Sequence, residues 1–153
     1  MSREKVSHDT VVIERVFKAA PAKVFQAWST QEALRAWSAP GDANWTLDVQ
    51  RFDFRVGGGE TSDFGPRDGE RYYNEGLYLD IVEDARIVSA FSMSTGGRRF
   101  FAGLMTAEFN PEGTGCRLKL TEQGVHFGVD PEEANHRAGW EEMFDKLESH
   151  LAA

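Results

Sequence analysis

The chain has 153 residues, 41% hydrophobic and 27% charged, with a formal net charge of −8. That is enough chain for one domain with a full core, and an acidic balance without a basic stripe argues against nucleic acid or an anionic membrane as partner. The single cysteine, Cys116, rules out an internal disulfide and fits a reducing, cytoplasmic setting.

Residues 1–9 are polar and are expected to form a flexible N-terminus ahead of a single domain over 10–153. They carry no apolar leader, and no apolar run further on approaches the roughly 18 residues that span a bilayer. "TVVIERVFKA" (10–19) is β-rich and alternates like a strand. "APAKVFQAWS" opens a helix with Pro21 in its first turn, and "TQEALRAWSAP" gives a second short helix with Thr30 as N-cap and Pro40 as stop.

Between about 45 and 123 the pattern changes to strands and turns. "WTLDVQRFDFRV" runs into Gly57, Gly58 and Gly59, which read as a turn or bulge, and "ETSDFGPRDG" carries Gly-Pro and Asp-Gly turn signals. "ERYYNEGLYLDIV", "ARIVSAFSMS", "RRFFAGLMTAEF" and "GCRLKLTEQG" follow, with connections short enough for antiparallel hairpins. Alternation sends Ile87, Phe91 and Met93 inward, and likewise Met105, Ala107 and Phe109, and Cys116, Leu118, Leu120 and Glu122. In "ERYYNEGLYLDIV" the same rule puts Leu77, Leu79 and Ile81 inward, with Tyr73 and Glu75 beside them.

Asp130-Pro131-Glu132-Glu133 reads as the cap of one long final helix reaching Ala152. Its stripe of Trp140, Met143, Phe144, Leu147 and Leu151 turns polar toward the N-terminal end, at Arg137, His136 and Glu133. The order is strand, two short helices, antiparallel strands, long helix. This predicts an α+β domain with a curved antiparallel sheet of about six to seven strands wrapped around a long C-terminal helix.

No spacing in the chain suits a metal cluster. His8, His126, His136 and His150 are scattered, the glycine run lacks a phosphate-loop signature, and no Gly-x-Ser-x-Gly elbow occurs. Cys116 falls on an inward strand position and reads as core. No cofactor is implied. The chemistry-bearing group is polar and inward: Glu133, His136 and Arg137 on the helix stripe, with Glu122, His126, Glu75 and Tyr73 aimed at the same space. Such a group suits either a ligand's polar head or acid–base catalysis by His136, Glu133 or Glu122. For Glu133 and Arg137, and less so for His136, a solvated helix end competes with that reading. Trp37, Phe54, Phe91, Met93, Phe101, Met105, Trp140 and Phe144 are hydrophobic positions that serve as core, ligand wall or both.

The pieces "APAKVFQAWSTQEALRAWSAP", "FDFRVGGGE", "GLYLDIVEDARIV", "TAEFNPEGTGCRLKLTEQG" and "GWEEMFDKLESHL", in this order, resemble the START/SRPBCC superfamily, within it the branch of activators of the 90-kDa heat-shock-protein ATPase. The resemblance implies the helix-grip fold of the birch-pollen-allergen-like proteins and polyketide cyclases, with a cavity between sheet and helix for small apolar or amphipathic molecules, lipids among them. Ser38 stands where the family often has a second tryptophan. Three functions follow in order of preference: a small-molecule binding protein, a cofactor-independent enzyme of cyclase, isomerase or hydrolase type, and a co-chaperone-like interaction module. An exposed edge strand leaves a homodimer open, and the chaperone partner is not favoured because the domain stands alone.

Overall fold

The computed structural model describes residues 3–153. The first strand, β1 (Val6–Phe17), is followed by the short helices α1 (Pro21–Ser29) and α2 (Gln31–Trp37). Six strands come next: β2 (Trp45–Phe52), β3 (Gly59–Pro66), β4 (Tyr72–Val82), β5 (Arg86–Thr95), β6 (Arg98–Glu112) and β7 (Gly115–Phe127). The chain finishes with α3 (Pro131–Ala134) and α4 (His136–Ala152). The seven strands form one curved antiparallel sheet in the order β1-β7-β6-β5-β4-β3-β2. The α+β helix-grip architecture expected from the sequence is the one observed.

Local chemistry explains the elements. Pro21 opens α1, and Thr30 caps α2 by accepting from the Ala33 N–H at 3.3 Å. Gly96 and Gly97 both sit at positive φ, 58° and 78°, which a tight turn between twisted strands requires, and they close the β5–β6 hairpin. Trp37 is 1% exposed and stays satisfied because its indole N–H donates to the Ala27 carbonyl at 2.8 Å.

Inward positions of β6 and β7 follow the expected alternation: Met105, Ala107 and Phe109, then Cys116, Leu118, Leu120 and Glu122, are all buried. Phe144 and Leu147 of α4 lie fully buried against this face, with Phe144 edge-on to Phe17 at 5.8 Å. On the flank of α4, Arg15 of β1 pairs with Glu141 and Asp145 at 2.8 Å each. Among the described residues, no helix is long and apolar enough to cross a membrane.

Three sequence expectations are corrected. First, β1 begins at Val6 rather than near residue 10, so residues 6–9 are strand and not a flexible end. Pairing with β7 down to Val6–Phe127 supplies the order that local composition does not. Second, β4 turns the other face inward over most of its length. Tyr78 is buried, while Tyr73, Leu77 and Leu79 are 40%, 45% and 46% exposed. Its pairing with β5 shifts register between Tyr78 and Asp80, so strict alternation cannot hold across it. Ile81, beyond the shift, packs against the core as expected. Third, the final helix is two helices. Asn135 sits in the left-handed region at φ 45°, and its side chain accepts from the Ala138 N–H at 3.3 Å, capping α4 afresh. Asp130 caps nothing with its side chain and is held by Lys5 at 2.6 Å instead.

Candidate ligand cavity

The sheet register determines what the inner face presents. Tyr78, Ser89, Met105 and Glu122 lie side by side across β4, β5, β6 and β7. The next row is Glu60, Gly76, Phe91, Gly103 and Gly124, ending on Asp9 of β1. After it come Asn74, Met93, Phe101 and His126. Three glycines in the middle row leave the sheet without side chains where its neighbours have them. The Phe101 ring folds over two of them: a Cβ at Gly103 would lie 2.8 Å from it, and one at Gly124 would overlap it.

α1, α2 and α4 stand off from this face, and a cavity of about 560 Å³ remains between them. Its walls are aromatic and aliphatic. Trp28, Leu34 and Trp37 come from α1 and α2, Trp140 and Met143 from α4, and Phe91, Met93 and Met105 from the sheet. Gly139 also lines it and faces Pro40, where a Cβ would meet the proline at 4.0 Å. Ser38 lines it too, with its hydroxyl donating back to the Leu34 carbonyl at 2.8 Å.

Two polar poles interrupt this lining. At one, Glu122 is 2% exposed and both of its oxygens are engaged. Oε1 lies 2.6 Å from His136 Nδ1, and Oε2 accepts from Trp140 Nε1 at 2.8 Å. Beside them, His126 is 1% exposed with its Nε2 at 2.8 Å from Asp9 Oδ1. The two imidazole rings are 5.1 Å apart, and Phe101 touches both, at 5.0 Å from His126 and 4.4 Å from His136. At the other pole, the Tyr78 hydroxyl donates to Glu60 Oε2 at 2.8 Å. Burial pushes the Glu60 carboxyl up, against a smaller opposing effect of that hydrogen bond. Burial, and then the Glu60 charge, pushes the Tyr78 phenol up as well. The Tyr78 and Glu122 backbones are three strand spacings apart, roughly 14 Å along the sheet.

Of the residues expected from sequence, Trp37, Phe91, Met93, Met105, Glu122, His126, His136 and Trp140 line the cavity. The others do not. Phe54 packs into the core against Phe25 and Tyr78, with ring centres at 5.8 and 5.0 Å. Phe101 and Phe144 are fully buried behind the lining. Tyr73 and Glu75 are exposed because of the β4 face described above. Glu133 is exposed on α3, and Arg137 turns outward to donate to the Val12 carbonyl at 3.0 Å. The break at Asn135 takes Glu133 off the stripe that a continuous helix would have given it.

Sequence reasoning missed Glu60, Tyr78 and Trp28. Glu60, Ser62 and Phe64 alternate inward along β3, but its largely polar composition and the neighbouring turn signals hid the strand. Cys116 is buried in the core, where burial pushes its thiol up, away from the reactive thiolate. Among the described residues, no cluster of three or more His, Cys, Asp or Glu is set to hold a metal ion.

Residues 18–152 match the family described as Activator of Hsp90 ATPase homolog 1-like protein. No curated protein matches the chain. Among solved structures, a Rhizobium leguminosarum protein is 37% identical with a TM-score of 0.88, covering 99% of both chains. The Mll3558 protein of Rhizobium loti is 36% identical with a TM-score of 0.83, covering 95% of this chain and 99% of its own. Protein CV1439 of Chromobacterium violaceum is 25% identical with a TM-score of 0.82, covering 94% and 97%.

Proposed function

We propose that this chain, which belongs to the Activator of Hsp90 ATPase homolog 1-like protein family, is a cytoplasmic small-molecule binding protein. The occupant is an apolar or amphipathic molecule held between sheet and α4. The observation that carries this reading is the 2.6 Å contact of His136 Nδ1 with the buried Glu122 in the wall of the apolar cavity. A carboxylate at Glu122 can only accept, which would place the shared proton on Nδ1 and leave Nε2 as an acceptor. Among the described residues Nε2 has no hydrogen-bond partner, and His136 lines the cavity. A ligand whose apolar body fills the aromatic walls and whose hydroxyl donates to Nε2 satisfies the pole without opening the Glu122 bonds.

The experiment is thermal unfolding with and without 2-naphthol. A ligand bound only to the native state stabilises it, by about 2.7 kcal/mol at a hundred times its Kd. The expected result is a rise in Tm that Trp140→Ala abolishes and that naphthalene reproduces only weakly. Equal, negligible shifts for all such probes count against the reading.

A second reading has one observation in its favour. A histidine oriented through Nδ1 by a buried carboxylate, with Nε2 open, is the arrangement of a general base. It makes the cavity the site of cofactor-independent acid–base chemistry. A turnover found in a substrate screen would have to fall on His136→Ala with the fold intact. A co-chaperone role rests on the family description alone. Retention of the 90-kDa chaperone on the immobilised protein is its test.

A further inference from the structure

The pole of the cavity at Glu60 holds an acid without a counter-charge. Glu60 is partly exposed and lines the cavity from β3. Its Oε2 accepts from the Tyr78 hydroxyl at 2.8 Å, and its Oε1 has only the Asn74 amide nitrogen, at 3.5 Å. A carboxylate offers about four acceptor positions, so about half of them are unused. Among the described residues no Lys, Arg or His forms an ion pair with it. Two hydroxyls stand beside it in the same state. Ser62, the next inward residue of β3, is 4% exposed, and Ser89, opposite Tyr78 on β5, is 9% exposed. Both line the cavity, and neither hydroxyl has a hydrogen-bond partner among the described residues. A side-chain nitrogen or oxygen that is both unpartnered and closed off occurs once among those residues, at Trp28 Nε1. The two serine hydroxyls are unpartnered without being closed off, so they open onto the cavity.

We infer that this pole seats a protonated amine, and that the bound molecule is an amphipathic amine whose ammonium pairs with Glu60 while its apolar body lies against the aromatic walls. This rests on the cavity reading above and adds the charge of the ligand. An ammonium brings three N–H donors and no acceptor, and the pole offers acceptor oxygens: the unused positions of Glu60 and the hydroxyls of Ser62 and Ser89. A carboxylate held out of water without a partner is costly, and burial already pushes Glu60 toward its protonated form. A cation in the same space offsets that cost, whereas a neutral or anionic guest does not. The rest of the lining has the same sign. Glu70 and Glu122 are acids, and Arg98 is held by Glu4 at 2.7 Å. Glu122 is the weaker competitor for a cation, because both of its oxygens are taken by His136 and Trp140. The formal net charge of −8 draws cations toward the molecule as a whole.

The test is calorimetric titration at neutral pH with three probes on one ring body: 2-naphthylmethylamine, 2-naphthylmethanol and 2-naphthoic acid. The amine should bind roughly tenfold tighter than the alcohol, the value of a charge-assisted hydrogen bond over a neutral one, and the acid should bind most weakly. Glu60→Gln removes the charge and keeps an acceptor for Tyr78. It should cut the amine's advantage below about twofold while leaving the alcohol close to its wild-type affinity. A readout on the wild-type chain alone covers the case in which the variant does not fold: in ¹³C-labelled protein the Glu60 side-chain carboxyl signal should shift with the amine and stay with the alcohol. Equal wild-type affinities for amine and alcohol, an amine preference that survives Glu60→Gln, or a Glu60 signal that does not respond to the bound amine each overturn the inference and leave the cavity reading standing. Binding of none of the three probes overturns both.

Discussion

Glu122 and His136 join the sheet to the final helix through one 2.6 Å contact between Oε1 and Nδ1. Glu122 comes from the seventh strand and is nearly inaccessible, and its other oxygen is taken by Trp140 one turn along α4. The helix end is thus fixed by polar contacts where its apolar stripe stops. Removing the carboxylate leaves an indole N–H and an imidazole N–H without acceptors in a largely dry site. Glu122→Ala should therefore destabilise by about 2–4 kcal/mol in urea unfolding. Glu122→Gln retains an acceptor oxygen and should lose about half as much. A loss under about 0.5 kcal/mol for the alanine variant would mean the contact contributes little.

Gly124 and Gly103 are the floor on which Phe101 lies, and Phe101 in turn touches both histidines. A methyl group at 124 overlaps the ring and also comes within 3.5 Å of Asp9, the partner of His126. Gly124→Ala should cost about 1–3 kcal/mol by overpacking. A ring displaced toward the cavity would take up room there, so the variant should also bind 2-naphthol more weakly. Both effects are read from one set of thermal shifts, and unchanged binding at reduced stability would separate the ring's position from the site.

Asn135 serves as the left-handed break between α3 and α4 and as the cap of α4. Asn135→Ala loses the cap and puts a methyl side chain at positive φ, with an expected cost of about 2 kcal/mol. Asn135→Gly relieves the backbone and loses only the cap, so it should fall between alanine and wild type. The ordering of the three chemical-denaturation midpoints is the check. Alanine as stable as wild type would argue for one continuous helix in solution.

Glu60 links stability to pH. Its carboxyl is pushed up in the folded protein, so the native state holds that proton over a range where the unfolded chain has released it. The native state therefore loses stability as pH rises from the ordinary carboxylate value through the raised one. Glu60→Gln stays neutral and can still accept from Tyr78. It should unfold at a higher temperature than wild type near pH 8, with the difference shrinking toward pH 4. A difference independent of pH would show that the charge on Glu60 is not the cause.

Much of this was legible in the chain. Hairpins with short connections and unbroken alternation put Ile87, Met105, Leu118 and Glu122 on the inner face, and the structure has them there. The motifs "FDFRVGGGE" and "GWEEMFDKLESHL" pointed to the right family. What failed did so for local reasons that no periodicity contains. One register shift beyond Tyr78 reverses the faces of β4, which exchanged Tyr73 and Glu75 for Tyr72, Asn74 and Tyr78 as inward residues. One left-handed residue at 135 cut the final helix and moved Glu133 into water, while His136, one position later, stayed in the wall. The pole at Glu60 depends on Tyr78, eighteen positions away and on the neighbouring strand, so neither residue advertised the pair on its own.

The glycine row has a consequence for the size of the cavity. Gly103 and Gly124 are already occupied by the Phe101 ring, but at Gly76 an added Cβ would meet nothing closer than 3.7 Å. Gly76 lines the cavity directly, at ordinary backbone angles. It is a vacant socket in the sheet, and each larger residue set there subtracts its own volume from the room left for the guest. Alanine, valine and leucine at that single position would form a graded series of chamber sizes on an otherwise unaltered scaffold, so the chamber can change its dimensions without the fold having to follow.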